Sequence, residues 1–154
     1  MEPGLIPGSA ITHLNNVLEK PLVGELDCRL SKGDNMIIVD WKTSARRWPK
    51  DQADKSLQPT AYLYAHRQLH NADVSMRFDV IVKNKTPVFE QYVTTRTTDQ
   101  FHRMIEQVKM VERMIAAEHF LPNENSFYCA SCPHQGACKA WHRETTRTSV
   151  RMGA

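Results

Sequence analysis

The sequence predicts an α/β fold of the α+β type, with a mixed central β-sheet flanked by helices. Short runs rich in β-branched and aromatic residues, bounded by turn residues, predict four strands. Two longer stretches with apolar residues at helical spacing predict two helices. In chain order these elements give β-β-α-β-β-α, and a cysteine-rich tail follows.

The first two predicted strands form a hairpin. Residues 23–30 follow Pro21, and residues 36–43 are rich in β-branched side chains and end at polar Thr43. Residues 31–35 between them have turn chemistry that suits an antiparallel connection. Because strand side chains alternate between faces, the register of this hairpin decides which charged residues meet.

A turn at residues 32–35 places carboxylates opposite each other on one face of the hairpin. Asp27 then lies across from Asp40, and Glu25 across from Lys42. Opposed like charges destabilise a sheet, and Mg²⁺ removes this cost because it prefers carboxylate oxygens. The alternative is a solvated face on which Glu25 and Lys42 form a weak surface ion pair.

The next element is a helix. An apolar stripe at helical spacing predicts it over residues 54–69. Gln58 and Tyr62 are four positions apart and therefore lie on one helix face. They either face a functional cleft or are the polar and half-buried aromatic residues that many helices carry.

Two strands and a helix complete the predicted core. Alternation predicts a strand over residues 76–82, and a turn separates it from a fourth strand at residues 88–94. A helix over residues 97–117 begins at Thr97, with Gln100 three positions later, the spacing of a capping box. Its apolar residues belong to the core.

Composition excludes several classes of protein. The 154 residues, with 41% hydrophobic and 24% charged residues, suffice for one domain with a core. No run approaches the roughly 20 apolar residues of a membrane span. The first residues lack the basic and apolar regions of a signal peptide. We expect a cytoplasmic protein without membrane contact.

The net charge of +3 does not by itself indicate a nucleic-acid partner. The distribution of charge is more informative, because Arg46, Arg47 and Trp48 directly follow the strand that carries Asp40. Cations beside an aromatic ring suit contact with DNA phosphates and stacking on bases. We therefore expect this loop to contact DNA.

Three of the four cysteines are close together near the end of the chain, at Cys129, Cys132 and Cys138. The C-x-x-C step suits a single metal ion or cluster, and a cytosolic setting disfavours a disulfide. Alternation points the remaining cysteine, Cys28, to the core face beside Leu26. A lone core cysteine more often acts as a small hydrophobic residue.

Three short motifs stand in order along the chain, Gly24-x-x-Asp27, Asp40-x-Lys42 and Gln58-x-x-x-Tyr62. Together they resemble the PD-(D/E)XK nuclease superfamily, and within it the RecB-like and CRISPR-associated exonuclease branch. The resemblance covers roughly residues 23–138 and implies a restriction-endonuclease-like core.

The resemblance also implies a site. Asp27 and Asp40 would ligate one or two Mg²⁺ or Mn²⁺ ions, and the backbone carbonyl of Trp41 would add a ligand. Lys42 would orient or help deprotonate the attacking water, with Glu25 nearby as a supporting group. Most relatives carry Glu where Asp40 stands. The family's two residues that contact DNA phosphate or position the catalytic groups would here be Gln58 and Tyr62.

For the cysteines, the resemblance implies a [4Fe-4S] cluster that also uses a cysteine far upstream. This chain departs from that pattern, because its only other cysteine is Cys28. Three explanations stay open: the fourth ligand belongs to an absent N-terminal portion, His134 completes a Cys₃His zinc site, or the site is vestigial. We favour a cluster-type ancestry with an incomplete ligand set.

The domain prediction follows from the resemblance. Residues 1–22 form a lead-in, interpreted as a truncated helical region with His13 as the one upstream candidate for the family's histidine. Residues 23–118 form the nuclease core. Residues 119–154 form a cysteine-containing segment with a basic tail.

The function that the resemblance implies is metal-dependent hydrolysis of DNA, as an exonuclease in recombination, repair or phage- and CRISPR-type DNA processing. DNA is the expected partner, and a helicase or a recombination protein is a further candidate. One alternative is a catalytically inactive nuclease-like module for DNA binding or protein docking. Another is a small domain stapled by a metal at its cysteines.

Overall fold

The computed structural model describes residues 4–7, 18, 23–32, 35–120, 122–123 and 126–152. The strands are β1 Gly4–Pro7, β2 Cys28–Lys32, β3 Asn35–Ser44, β4 Ser75–Val82 and β5 Val88–Thr94. The α-helices are α1 Gln52–Lys55, α2 Gln58–His70, α3 Thr98–Ala116 and α4 Gln135–Met152. A 3₁₀ helix spans Cys129–Ser131.

The strands form one mixed sheet in the order β1-β2-β3-β4-β5. β3 and β4 are parallel, and the other neighbouring pairs are antiparallel. Parallel strands need a crossover connection, which α1 and α2 supply here. The predicted fold class and the β-β-α-β-β-α order are confirmed, with β1 added before them and α4 after them.

The hairpin of β2 and β3 has the register that its turn predicts. Cys28 pairs with Val39, and one further step in the same register brings Asp27 opposite Asp40. β2 begins at Cys28, so residues 23–27, predicted as part of the strand, precede the ladder. Asp27 therefore meets β3 where the ladder ends.

The main core lies between one face of the sheet and the helices α2 and α3. Its fully buried strand residues are Ile38, Met76, Phe78, Val80 and Val82. The helices contribute Leu63, Tyr64, Phe101, Met104 and Ile105. Because side chains alternate along β3, Asp40 and Lys42 share this helix-covered face with Ile38.

Helix boundaries follow the local sequence. The helix predicted before the third strand is two helices, because Pro59 lacks the N–H that would continue the hydrogen bonds of α1 into α2. The predicted capping box of α3 is present. Thr97 N–H donates to Gln100 Oε1 at 2.8 Å, and Gln100 N–H donates to Thr97 Oγ1 at 3.4 Å.

The prediction for the Cys28 side chain is wrong in one respect. Cys28 is only 2% exposed, but it shares register with Val39 and Arg77 on the face opposite the main core. Leu26, expected beside it, packs against the main core instead. The difference arises because β3 is a central strand whose two faces are both buried near Val39.

The chain divides into two compact units, Met1–Arg113 and Met114–Ala154. The first contains the sheet, and the second contains the 3₁₀ helix and α4, which was predicted only as a tail. The predicted domain boundaries stay predictions, and His13 lies outside the described residues. Among the residues described, no helix has both the length and the apolar character needed to cross a membrane.

Candidate active site

β3 delivers the central residues of the candidate site. Alternation turns Asp40 and Lys42 toward the helices and Trp41 toward the other face. Asp40 is 2% exposed, whereas the Trp41 side chain is 56% exposed. A carboxylate buried this deeply needs partners, since an unpaired charge away from water is costly.

Asp40 has two partners, one on each carboxylate oxygen. The Lys42 ammonium lies 2.6 Å from Oδ2, and Gln58 Nε2 donates to Oδ1 at 2.7 Å. Burial raises the pKa of Asp40, and the attraction of Lys42 and the Gln58 hydrogen bond only partly oppose that rise. The pair predicted from strand alternation thus meets the helix residue predicted to face the same cleft.

Asp27 lies beside Asp40 at the end of β2. The backbone N–H of Trp41 donates to Asp27 Oδ2 at 2.9 Å. The carboxylate therefore takes a β3 donor at the position where the strand ladder has ended. The negative charge of Asp27 contributes to the raised pKa of Asp40, which is the mutual repulsion expected of two neighbouring carboxylates.

Tyr62 connects the helix to the segment that carries Asp27. Its hydroxyl donates to the backbone carbonyl of Glu25 at 2.6 Å and accepts from Gln58 Nε2 at 3.1 Å. Gly24 leaves room for the tyrosine, because a Cβ at that position would stand 3.2 Å from the ring. A chain of contacts thus runs from Asp40 through Gln58 and Tyr62 to the residues preceding Asp27.

Arg96 is a residue that sequence analysis missed. It follows β5, and its five N–H groups hold the loop between α1 and α2. Nε donates to Thr60 Oγ1 at 2.8 Å, and Nη2 donates to the carbonyls of Ala53 at 2.9 Å and Ser56 at 2.8 Å. The remaining acceptors, both for Nη1, are the Thr94 hydroxyl and the Thr95 carbonyl.

The position of Arg96 matters because α2 begins at Gln58 and no side chain caps it. The arginine holds the carbonyl of Ser56, just before the helix, and the hydroxyl of Thr60 in its first turn. It therefore helps to position the amide that contacts Asp40. A sequence pattern gave no sign of this contact, since the bonded groups are 36 to 43 positions away.

Two predicted contacts differ from the structure. Lys42 was expected across from Glu25, but its ion pair is with Asp40. The lysine is drawn to the buried carboxylate because the exposed Glu25 offers only a weak, solvated attraction. Glu25 contributes through its backbone carbonyl rather than its carboxylate.

Trp48 lies less open to a base than its predicted role requires. It is half-buried, with its ring centroid 5.2 Å from Phe78 and 5.5 Å from Tyr92. Arg47 pairs with Glu90 at 3.0 Å, and Arg46 is exposed. The aromatic residue thus anchors the loop, and the arginines remain the groups available to a phosphate.

The donor set around Asp40 fits a hard divalent cation. Apart from the Lys42 ammonium, its Oδ2 has no partner. No three His, Cys, Asp or Glu side chains in the described part of the chain stand close enough to hold an ion. A cation here would use two carboxylates with main-chain, water or phosphate oxygens, which is how Mg²⁺ is usually bound.

The three clustered cysteines line one cavity of about 510 Å³ within the second unit. His134 and His142 line it too. Within the described residues these side chains do not form a closed metal-ligand set. The predicted proximity of the cysteines is observed, whereas a cluster or zinc at this place stays a prediction.

Comparison with known proteins agrees with this geometry. A sequence model of the PD-(D/E)XK nuclease superfamily matches residues 9–139, which include the acidic residues, the helix that carries Gln58 and the three clustered cysteines. No curated protein matches the chain in sequence.

Two solved structures are similar to the chain. SSO0001 has 13% identity and a TM-score of 0.47, and the match covers 74% of this chain and 52% of that protein. A candidate exonuclease from Eubacterium rectale has 15% identity and a TM-score of 0.37, with coverage of 63% and 41%. The chain thus spans about half the length of these proteins or less.

Proposed function

We propose that this chain, which belongs to the PD-(D/E)XK nuclease superfamily, hydrolyses phosphodiester bonds of DNA with Mg²⁺ or Mn²⁺ as cofactor. The observation that supports this most is the buried Asp40, paired with Lys42 and Gln58 and close to Asp27. Phosphodiester hydrolysis requires a positioned water, a held phosphate and stabilisation of developing charge. Two carboxylates and an ammonium in one site match those needs.

Asp27 and Asp40 would hold the cation, with the main-chain carbonyl of Trp41 as a further oxygen. Asp27 Oδ2 already accepts the Trp41 N–H, which orients that carboxylate. Because burial raises the pKa of Asp40, binding of a cation competes with protonation of the same oxygens. When bound, the metal polarises the scissile phosphate and lowers the pKa of its water.

Lys42 would hold the attacking water and stabilise the charge that develops on the phosphate. A protonated lysine cannot ligate a metal, so its contribution is distinct from that of the carboxylates. Its side chain is 36% exposed, and its ammonium lies 6.0 Å from the centroid of the Phe78 ring. This leaves one side of the ammonium open to solvent and substrate while the other side contacts Asp40.

Gln58 and Tyr62 would position the carboxylates rather than react. Gln58 fixes one oxygen of Asp40 through its hydrogen bond, and Tyr62 holds the carbonyl two residues before Asp27. Preorganised partners of this kind reduce the reorganisation needed when substrate binds.

The finer assignments rest on the sequence motifs and remain proposals. They are exonuclease action, the RecB-like branch, a role in recombination, repair or phage- and CRISPR-type processing, and a helicase or recombination partner. The predicted cytoplasmic location also stays a prediction. Arg46 and Arg47 remain candidates for DNA contact because they follow β3 at the site.

A second cofactor is proposed for the other unit, a [4Fe-4S] cluster or a zinc ion at Cys129, Cys132 and Cys138. Support comes from the cavity that these residues line and from the C-x-x-C spacing. Iron and zinc analysis of anaerobically purified protein tests it, and absence of both metals would reject it.

The experiment for the main function is cleavage of matched linear and circular DNA with Mg²⁺, Mn²⁺ or EDTA. We expect metal-dependent cleavage, with a preference for linear DNA if the enzyme is an exonuclease. Asp40→Asn should lose this activity, and Asp99→Asn, on the exposed start of α3, should retain it. Metal and DNA binding without cleavage of any DNA form would favour the inactive binding module instead.

A further inference from the structure

We infer that a basic edge beside the active site binds the phosphates next to the scissile one, along a single nucleic-acid strand. The edge consists of two loops, residues 45–50 and 83–87. This inference rests on the proposed nuclease function and adds the path of the substrate to it.

The topology of the sheet brings the two loops together. β3 and β4 are parallel and in register to their last residues, where Ser44 pairs with Val82. Both strands therefore end at the same edge of the sheet. Lys83 N–H then donates to the Ser44 carbonyl at 2.8 Å, which joins the start of one loop to the start of the other.

The charge of these loops is one-sided. They contain five basic residues and no acidic residue, in a chain whose net charge is only +3. The basic residues are Arg46, Arg47, Lys50, Lys83 and Lys85, all of them exposed. Arg47 is paired with Glu90 at 3.0 Å. A concentration of one sign of charge on adjacent loops attracts a polyanion.

Trp48 gives the first loop a fixed position. Its ring packs against Phe78 and Tyr92, and its carbonyl accepts a hydrogen bond from the Tyr92 hydroxyl at 3.2 Å. Ser44 Oγ further donates to the Arg46 carbonyl at 2.6 Å. The loop is thus held from the core side while Arg46 and Lys50 remain exposed. A surface positioned in this way binds with a smaller entropy cost than a mobile loop.

The edge lies at the right distance from the chemistry. Asp40, Lys42 and Ser44 follow one another on the same face of β3, and two strand residues span about 7 Å. A strand whose scissile phosphate contacts Lys42 therefore carries its neighbouring phosphates past Ser44 to Lys83 and Arg46. Contacts of this type position a nucleic acid without reading its sequence.

The test compares two double variants that remove the same charge. Lys83→Gln with Lys85→Gln changes the basic edge, and Arg103→Gln with Arg113→Gln changes exposed positions on α3. Binding of fluorescent single-stranded DNA is measured at several salt concentrations in the Asp40→Asn background, which prevents cleavage. The slope of log affinity against log salt should fall by about 0.7 per lost phosphate contact on the edge variant only.

Cleavage of substrates of increasing length gives a second readout in the active protein. The loss of kcat/KM in the edge variant should grow from a single-phosphodiester nitrophenyl substrate to a long oligonucleotide. An unchanged salt slope, or a loss equal at every length, would overturn the inference. Failure of the proposed function has a different signature, since the unsubstituted protein would then cleave no substrate at all, while the binding slopes would still decide the role of the edge.

Discussion

The acidic site and the cysteine segment both carry residues typical of metal binding, but they differ in how far the protein assembles them. At the acidic site, Asp40 contacts Lys42 at 2.6 Å and Gln58 at 2.7 Å. In the cysteine segment, three cysteines line a cavity without forming a closed ligand set among the described residues. The difference lies in what positions each set.

A strand ladder positions the acidic residues. Pairing of β2 with β3 and of β3 with β4 leaves Asp40 one possible face, and α2 packs over that face. The cysteines depend on a short turn, in which Cys132 N–H donates to the Cys129 carbonyl at 3.3 Å, and on the first turns of α4. Ligands on rigid neighbouring elements are assembled by the fold, whereas ligands on short turns are often assembled by the metal itself.

The largest expected effect is at Asp40, and it separates function from stability. Asp40→Asn should lower cleavage by about a thousandfold, since it removes charge needed for the cation. In EDTA at pH 7 it should raise the free energy of unfolding by about 1 kcal/mol. Because the pKa of folded Asp40 is raised, ionisation destabilises the fold as pH rises past about 4, and asparagine avoids that penalty.

Asp79 is the matched control, a second buried aspartate on the opposite face of the sheet. It is held by two bonds from Arg77, at 2.7 and 2.9 Å, and one from Gln91 at 2.9 Å. Asp79→Asn should lose about 1–3 kcal/mol of unfolding free energy, because a buried carboxylate with three charge-assisted or polar bonds is replaced. Equal stability changes in both variants would contradict the proposed functional strain at Asp40.

Lys42→Ala should give the next largest effect. We expect cleavage to fall by about a hundredfold, because the lysine acts mainly on the charge of the transition state. Binding of Mg²⁺ should remain or become tighter, since a competing cation leaves Asp40. Calorimetric titration of Mg²⁺ beside a cleavage assay separates these quantities. Normal cleavage by this variant would refute the assigned mechanism while leaving the fold intact.

Arg96→Met should lower the free energy of unfolding by about 3 kcal/mol, because several buried acceptors lose a charged donor. At temperatures where the variant is folded, kcat should also fall, since Gln58 is no longer held against Asp40. A double-mutant cycle with Gln58→Ala distinguishes this from general weakening. If Arg96 acts through Gln58, its effect on kcat shrinks in the Gln58→Ala background, and additive effects would contradict the coupling.

Arg67→Met serves as the control for this prediction. Arg67 also lies on α2, where it donates to Thr98 Oγ1 at 2.9 Å, but it has no bond to the loop before Gln58 in the described structure. We expect a smaller loss of stability and no coupling of its effect on kcat to Gln58→Ala.

Local patterns sufficed for much of the fold and for the central site residues. Alternation gave the shared face of Asp40 and Lys42, and the helical period gave the shared face of Gln58 and Tyr62. Arg96 could not be found in this way, because its acceptors lie on other elements. The orientation of Trp48 was equally hidden, since an aromatic residue beside two arginines suits both a DNA contact and a core anchor.

The smallest effect on cleavage is expected in the cysteine segment. Cys132→Ser should remove the iron or zinc of anaerobically purified protein, because a metal needs the thiolate that serine lacks. It should lower cleavage less than the substitutions above, since the contacts of Asp40 come from β3 and α2. Cys28→Ser is the control, because burial raises the pKa of that thiol and keeps it protonated. Metal loss in both variants would make Cys28 a ligand, and a metal-free starting protein would leave the acidic site as the one supported metal site.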